Sequence, residues 1–247
     1  MRAAWRSSSR AKCRVAPMGS PEHAVAAGRL VPLRRPPLLS VVEGPFVPER
    51  ASLDEVDRAW QALVRRVPRA FDGPMLHVLG TSRNGHGGVT IHCTPSSYRF
   101  HAVMHEGLDT GMRPLGVKAI TFGPEGRVVM GRRGMGTLNY PGLWEFAPAG
   151  TIEPGVPPAE MILRELAEET GWRASQPPAP RALLFDPVTR TWEVVFTIDA
   201  VPGDVQVEHW ECAEVRAVVP GEWPGELSPV ARQMMPILEA ERRARGC

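Results

Sequence analysis

Three glutamates are spaced so that a helix would bring their carboxylates together. Glu165, Glu168 and Glu169 stand at i, i+3 and i+4, which places them on adjacent turns of one helical face. Carboxylates this close repel one another unless a cation lies between them. Mg²⁺ and Mn²⁺ are hard ions that prefer carboxylate oxygens and also accept phosphate oxygens. The spacing is therefore consistent with a metal platform for phosphate chemistry, and equally with a solvated acidic face.

The residues around these glutamates predict a helix over 157–170. Pro157 and Pro158 suit its first turn, because the N–H groups there have no intrahelical partner. Gly171 suits the position just after its end. A second face is apolar, and we expect it to be buried: Ala159, Ile162, Leu163 and Leu166.

The segment 150–172 resembles the Nudix box, G-x5-E-x7-R-E-U-x-E-E-x-G-U, in which U is a bulky apolar residue. The positions that match in register are Gly150, Arg164, Glu165, Leu166, Glu168, Glu169, Gly171 and Trp172. The resemblance covers about residues 116–247 and implies an α/β/α sandwich around a mixed sheet. It further implies hydrolysis of a nucleoside diphosphate linked to another group X, by water activated with Mg²⁺ or Mn²⁺.

The resemblance also implies roles for individual residues. Glu165, Glu168 and Glu169 would be metal ligands, with the Gly150 carbonyl as a further ligand. Arg164 would orient a glutamate rather than touch the substrate. The base that deprotonates water differs between family members. Our candidates are Glu165 and Glu211, and a solvated loop position is the simpler interpretation of Glu211.

One position departs from the box. Val156 stands where the family has a glutamate that pairs with the box arginine, here Arg164. Loss of such a supporting partner typically costs about 10–100-fold in activity or metal affinity. We hypothesise that Glu153, three residues earlier, takes over this pairing.

Signals for substrate recognition are weaker. Residues 70–74, 97–100 and 110–117 are together similar to a Nudix branch that has an N-terminal β-domain and includes UDP-sugar hydrolases. Four substrate-binding candidates follow: Arg99, Arg113, Tyr140 and Trp144. The arginines suit bidentate contact with phosphate and the aromatic rings suit stacking on a base. Surface arginines and a core tryptophan are the simpler alternatives.

Outside the box, the chain predicts an α+β protein. Ser52 and Glu55 form a capping-box pattern before a helix predicted over 53–66. Strands are predicted where apolar runs are bounded by turn residues: 75–79, 89–93, 98–104, 117–122, 128–132, 143–147, 182–185, 191–197 and 214–219. A last helix begins at Pro229. Strands mixed with few helices, without βαβ alternation, favour α+β.

We expect three segments along the chain. Residues 1–49 are predicted to be a disordered tail, 50–115 a small β-rich subdomain with one helix, and 116–247 the Nudix domain. The first twenty residues are basic and free of acids. A tail, an organellar targeting segment and a true start at Met18 therefore stay open.

Composition excludes several classes of protein. The net charge is +2, from 29 basic and 27 acidic residues, so there is no strong positive field to attract nucleic acid. No run of 18 apolar residues exists, so no membrane span is expected. The four cysteines are far apart and form no C-x-x-C motif, which predicts a cytoplasmic protein without disulfides.

The leading prediction is a metal-dependent pyrophosphohydrolase that acts on a small nucleotide. A nucleotide-sugar is one candidate substrate, and ADP-ribose or a nucleoside triphosphate are the alternatives. Because of Val156, a catalytically weakened nucleotide-binding or regulatory protein is the competing class. Family members often dimerise, so a homodimer also stays open.

Overall fold

The structure, a computed structural model, describes residues 29–203 and 211–246. Its helices are α1 (Leu53–Arg66), α2 (Tyr98–Ala102), α3 (Pro158–Thr170) and α4 (Pro229–Arg245). Its strands are β1 (Leu30–Pro32), β2 (Leu38–Val41), β3 (Pro74–Arg83), β4 (Val89–Ser97), β5 (Leu115–Phe122), β6 (Val128–Arg133), β7 (Trp144–Phe146), β8 (Ala149–Thr151), β9 (Arg173–Ala174), β10 (Ala179–Asp186), β11 (Thr191–Val201) and β12 (Cys212–Val218). The predicted α+β class is confirmed.

Most of the described strands form one mixed sheet. Its order is β1-β10-β11-β5-β6-β12, and β7, β8 and β9 pair with β6, β5 and β11. β5 and β11 run parallel, whereas the other pairs are antiparallel. Every residue of β5 is buried, because this strand lies at the centre of the sheet.

Alternating side chains give the large sheet two apolar faces. On one face, Val117 of β5 shares a core with Ile162 and Leu166 of α3. On the other face, Ile120 of β5 shares a core with Met234 of α4. Helices therefore cover both faces, as the predicted α/β/α sandwich requires.

A smaller sheet of order β2-β4-β3 packs on the α3 side. Leu76 and Ile91 of this small sheet belong to the same core as α3. Its opposite side packs against α1 and α2 through Met75, Val56 and Phe100. The two parts of the chain thus share one continuous core, which holds the small sheet against the large one.

Residues 29–49 differ from the predicted disordered tail, since they contain β1 and β2. β1 pairs with β10 at the edge of the large sheet, and β2 pairs with β4 in the small sheet. These pairings satisfy backbone groups that an isolated proline-rich segment would leave to water. The predictions for residues 1–28 lie outside the described residues.

The strand predicted over 98–104 is wrong. These residues form α2 and a following 3₁₀ turn, Val103–Glu106. Asp72 Oδ1 accepts a 2.8 Å hydrogen bond from the Arg99 backbone N–H, which satisfies one free donor at the start of the helix. Phe100 and Val103, three residues apart, then face the same core. Short apolar runs suit both strand and helix, so tertiary packing decides between them.

The predicted capping box of α1 is confirmed. Ser52 Oγ accepts the Glu55 backbone N–H at 3.3 Å, and Glu55 Oε2 accepts the Ser52 backbone N–H at 2.8 Å. Within residues 29–203 and 211–246, no helix has the length and apolar character needed to cross a membrane.

Candidate active site

Both parts of the chain line a cavity of about 480 Å³. The first part contributes the end of α1, the loop that follows it and α2, with Phe71 and Tyr98 among the lining residues. The second part contributes the start of β5, the loop after β6, and α3 through Glu165. Helix α3, which carries the box glutamates, therefore borders a cavity that the first part of the chain helps to enclose.

Part of the cavity lining is acidic. Glu165, Glu211 and the backbone of Gly150 line the cavity together. A Cβ atom at position 150 would overlap the Glu165 carboxylate, so the glycine is what allows this close approach. Burial, followed by repulsion from Glu169, Glu168 and Glu211, raises the pKa of Glu165 to about 8.

The other two box glutamates lie differently. Glu169 is only 4% exposed, and its Oε2 accepts a 3.0 Å hydrogen bond from the Ala149 backbone N–H. Burial raises the pKa of Glu169 to about 7, although this hydrogen bond opposes the shift. Glu168 is exposed. Along helix α3, Glu169 is therefore buried beside β8, the strand that carries Gly150, Glu165 is half-buried and Glu168 is exposed.

The donor atoms in this part of the lining fit a hard divalent cation. Carboxylate and carbonyl oxygens are the ligands that Mg²⁺ and Mn²⁺ prefer, and a cation would relieve the repulsion between Glu165 and its neighbours. The described residues contain no cluster of three or more His, Cys, Asp or Glu side chains already gathered around a metal position. The ligand roles of Glu165, Glu168, Glu169 and Gly150 therefore stay predictions.

Arg164 has the partner that we hypothesised. Its Nη2 atom forms an ion pair with Glu153 Oε1, and both side chains are about two-fifths exposed. Val156, at the position of the missing box glutamate, packs against the core beneath α3. The contact between Glu153 and Arg164 is therefore confirmed, while its part in catalysis stays a hypothesis.

Buried charged residues that we did not select from the sequence also line the cavity. Lys118 Nζ forms a 3.0 Å ion pair with Glu145 Oε2, and both side chains are less than a tenth exposed. Burial opposes the charge on each partner, yet the neighbouring carboxylates raise the pKa of Lys118, while Lys118 and Arg133 lower that of Glu145. The pair is therefore charged, and Arg133 adds a second cation that lines the cavity.

Glu193 of β11 also lines the cavity. Burial, together with Asp186 and Glu145, raises the pKa of Glu193 to about 8 against the opposing charge of Lys118. A usable signal was present in the sequence, because Lys118, Glu145 and Glu193 each interrupt an apolar strand. Charged residues are almost never fully buried unless they are paired or functional.

Tyr140, a predicted substrate-binding residue, does line the cavity. Its hydroxyl donates a 2.6 Å hydrogen bond to Asp186 Oδ2, and Thr189 Oγ1 donates to the same oxygen at 2.8 Å. Burial and this hydrogen bond raise the pKa of Tyr140 well above its usual value. The neutral phenol is thus held by the turn between β10 and β11, and its contact with substrate stays a prediction.

The other three predicted substrate-binding residues do not line the cavity. Trp144 is buried in the core on the α4 side, with the Arg216 guanidinium 5.4 Å from its ring centroid. Arg99 forms ion pairs with Asp57 and Asp72, at 3.1 and 3.6 Å. Core packing holds Trp144 and carboxylates of the small subdomain hold Arg99, so neither residue faces this cavity, and their contact with substrate stays a prediction.

Arg113 lies next to the cavity residue Pro114 but is absent from the lining. Its backbone N–H donates a 3.0 Å hydrogen bond to His77 Nδ1. Phe71, which we did not select, does line the cavity, and it is 77% exposed. An exposed aromatic ring at a cavity is a better candidate for stacking than the buried Trp144.

Comparison with known proteins points to one family. A family model described as the NUDIX domain matches residues 112–238, just over half of the chain. An uncharacterized Nudix hydrolase of Pseudomonas aeruginosa is 32% identical over 114 residues, which cover 45% of this chain and 66% of that relative. The chain thus spans slightly less than two thirds of the length of this curated relative.

Solved structures are similar to about half of this chain. The MutT protein of Methanosarcina mazei is 20% identical, with a TM-score of 0.41, over 52% of this chain and 94% of that one. A NUDIX hydrolase of Nitrosomonas europaea is 22% identical, with a TM-score of 0.43, over 53% of this chain and 72% of that one.

Proposed function

The chain belongs to the Nudix family, and we propose that it hydrolyses the pyrophosphate bond of a nucleoside diphosphate linked to a further group X, with Mg²⁺ or Mn²⁺ as its cofactor. The observation that carries this proposal is the distribution of charge in one cavity. Glu165 and Glu211 line this cavity together with Lys118 and Arg133. A cation and a diphosphate can thus be held side by side.

Each group has a defined task in this reaction. Glu165, Glu168, Glu169 and the Gly150 carbonyl would hold the cation. When bound, the divalent cation lowers the pKa of water and neutralises charge on the diphosphate.

The chain's own residues place the reactants. Lys118 and Arg133 would meet phosphate oxygens, since an ammonium and a guanidinium both suit phosphate. Glu165 or Glu211 would accept the proton from the attacking water. One P–O bond forms to the water oxygen, the bridging P–O bond breaks, and two monophosphates leave.

The competing function is nucleotide binding without turnover, which the loss of the box glutamate at Val156 suggested. The ion pair between Arg164 and Glu153 favours catalysis instead, because the box arginine retains a carboxylate partner. The cavity also has room for a small nucleotide, since small-molecule sites usually measure about 300–1,000 Å³. Nucleotide-sugars, ADP-ribose and nucleoside triphosphates are all candidate substrates.

The test is hydrolysis by the purified full chain in Mg²⁺ or Mn²⁺, with UDP-sugars, ADP-ribose and nucleoside triphosphates as substrates. Products are identified by mass spectrometry. Glu169→Gln keeps the shape of the side chain but removes its charge, so we expect activity to fall by 100-fold or more. Glu160→Gln, on an exposed position of the same helix, is the matched control and should retain wild-type rates.

Metal-dependent cleavage that is lost only in Glu169→Gln would support the hydrolase and identify its substrate. Nucleotide binding without cleavage by the wild-type protein would overturn the proposal in favour of the regulatory alternative. Thermal melting of both variants separates lost chemistry from lost folding.

A further inference from the structure

Arg69 is a cationic side chain at the cavity that the proposed hydrolysis does not use. It lies in the loop between α1 and β3, is exposed to solvent and lines the cavity. In the part of the chain that the structure describes, residues 29–203 and 211–246, its guanidinium has no hydrogen bond or ion pair. Nearby arginines are neutralised, for example Arg66 by Glu106. Arg69 is therefore a free cation beside a space that can hold a nucleotide.

The other cations that line the cavity already face carboxylates. Lys118 Nζ forms its 3.0 Å ion pair with Glu145 Oε2. Arg133 interacts through space with Glu145 and Glu169 as an opposite charge. An anionic substrate would compete with the protein's own carboxylates for these two cations, whereas Arg69 has no such competitor.

The first part of the chain surrounds Arg69 with neutral lining residues. Among the described residues, every carboxylate that lines the cavity lies at position 145 or later in the chain. The first part contributes apolar side chains such as Leu63 and Met75. Burial lowers the pKa of its cavity residue His101 to about 3, so this histidine is neutral. Arg69 is thus the charged group that the first part offers to a ligand.

Backbone hydrogen bonds hold the loop that carries Arg69. The Ala70 N–H donates to the Val67 carbonyl at 2.9 Å, which closes a turn around Arg69. The Tyr98 N–H donates to the Gly73 carbonyl at 2.9 Å and ties the other end of the loop to α2. A loop held in this way loses little freedom when a ligand binds, which favours affinity.

Phe71 identifies the part of a substrate that suits Arg69. It lines the same cavity two residues after Arg69, and it is 77% exposed. The Cα atoms of two such residues lie within about 7 Å of each other. An aromatic ring suits a nucleobase, and a guanidinium suits phosphate oxygens. In a nucleotide one ribose joins the base to its phosphate, so the two side chains match two neighbouring groups of one nucleoside monophosphate unit.

We propose that Arg69 binds the phosphate next to the nucleoside, so that the nucleoside end of the substrate lies against the first part of the chain. This inference rests on the proposed function, which it deepens by naming a binding residue and the orientation of the substrate. The role is one of affinity, because this phosphate is charged both before and during the reaction.

The test measures binding by isothermal titration calorimetry, which requires no turnover. The probes are UMP and AMP, with uridine and adenosine as matched ligands that lack the phosphate, and glucose 1-phosphate as a phosphate without a nucleoside. For Arg69→Gln we expect Kd of both monophosphates to rise about 10-fold, with the other three ligands changed by less than about twofold. Arg69→Lys keeps the charge but loses the planar pair of donors, so its loss should be smaller.

Arg65→Gln is the matched control, since it removes the same charge at an exposed position of α1 that does not line the cavity. It should bind every ligand as the wild type does. An equal loss of monophosphate binding in Arg65→Gln would overturn the inference, because the overall field of the protein would then attract the phosphate. A loss shared by uridine and adenosine, or confined to glucose 1-phosphate, would overturn it as well.

Steady-state kinetics provides the second readout. For a substrate that the wild type cleaves, KM should rise about 10-fold in Arg69→Gln with kcat changed by less than about twofold. If the wild-type protein cleaves nothing but Arg69→Gln still loses affinity for the monophosphates, the hydrolase proposal fails and the inference about Arg69 stands. If the wild type cleaves its substrate and Arg69→Gln binds the monophosphates equally well, the inference alone fails.

Discussion

At the scale of single residues, the box shows how one lost carboxylate is replaced by another. Val156 packs against the core, where a glutamate would need a charged partner. Glu153 pairs with Arg164 instead, from the loop before α3. Both side chains are well exposed, so this ion pair adds at most about 1 kcal/mol to the free energy of unfolding. The ion pair is therefore better explained as a contact that positions Arg164 next to the carboxylates of α3.

Glu153→Gln should therefore reduce activity more than stability. We expect kcat/KM to fall by about 10-fold, because supporting partners of a metal site typically contribute 10–100-fold. The free energy of unfolding should fall by less than about 1 kcal/mol. Steady-state kinetics and urea unfolding measure the two quantities separately.

A second substitution that restores a carboxylate partner for Arg164 is the control for this prediction. In the double variant Glu153→Gln with Val156→Glu, the restored box glutamate should pair with Arg164 and recover most of the lost rate. Wild-type activity in the single variant would show that Arg164 needs no carboxylate partner.

At the scale of elements, α2 shows that local pattern does not decide every segment. The sequence predicts a strand for Tyr98–Ala102, but these residues form a helix. This helix places Phe100 against the core and buries His101 at the cavity. His101 packs its ring against Tyr98 and His105. Burial, followed by His105 and Arg190, lowers the pKa of His101 to about 3, so the folded protein holds it neutral.

His101 should therefore make the fold less stable in acid. The unfolded chain takes up a proton below about pH 6.5, whereas the folded protein does so only near pH 3. The free energy of unfolding consequently falls as the pH drops through this window. The contribution lost between pH 7 and pH 5 is roughly 1–2 kcal/mol.

His101→Phe keeps a buried ring but removes this titration. The wild type should lose roughly 1–2 kcal/mol more of its free energy of unfolding than the variant does between pH 7 and pH 5. His86→Phe, at an exposed position, should track the wild type. A pH-independent difference for His101→Phe would show that His101 takes up its proton at the same pH in the folded and the unfolded protein.

At the scale of the whole molecule, the cavity exists because two parts of the chain share a core. The small sheet packs on the same face as α3, which brings the loop between α1 and β3 to the cavity. Phe71 in this loop is largely exposed, so its ring faces are free to stack. Base stacking on an aromatic ring typically contributes about 1–3 kcal/mol.

Phe71→Ala should therefore weaken substrate binding without unfolding the protein. We expect KM for a nucleotide substrate to rise roughly tenfold, which corresponds to about 1.4 kcal/mol, with kcat changed by less than twofold. Phe71→Tyr keeps the ring and should retain the wild-type KM. An unchanged KM in Phe71→Ala would mean that the base does not lie against this loop.

The sequence alone was sufficient for the family, the α+β class, α3 and the capping box of α1. Each depends on residues close together in the chain, where helical periodicity and cap chemistry act directly. The order of the box residues also singled out Glu165, whose carboxylate lies against Gly150 in the structure.

Tertiary structure decided which side chains share the cavity. Lys118, Glu145 and Glu193 come from three strands and meet only when β5 pairs with β11 and packs beside β7. Trp144 and Arg99 carry the right chemistry for a nucleotide, yet packing and ion pairs occupy them elsewhere. Long-range pairing and burial depend on the whole chain at once, so no local spacing could reveal these positions.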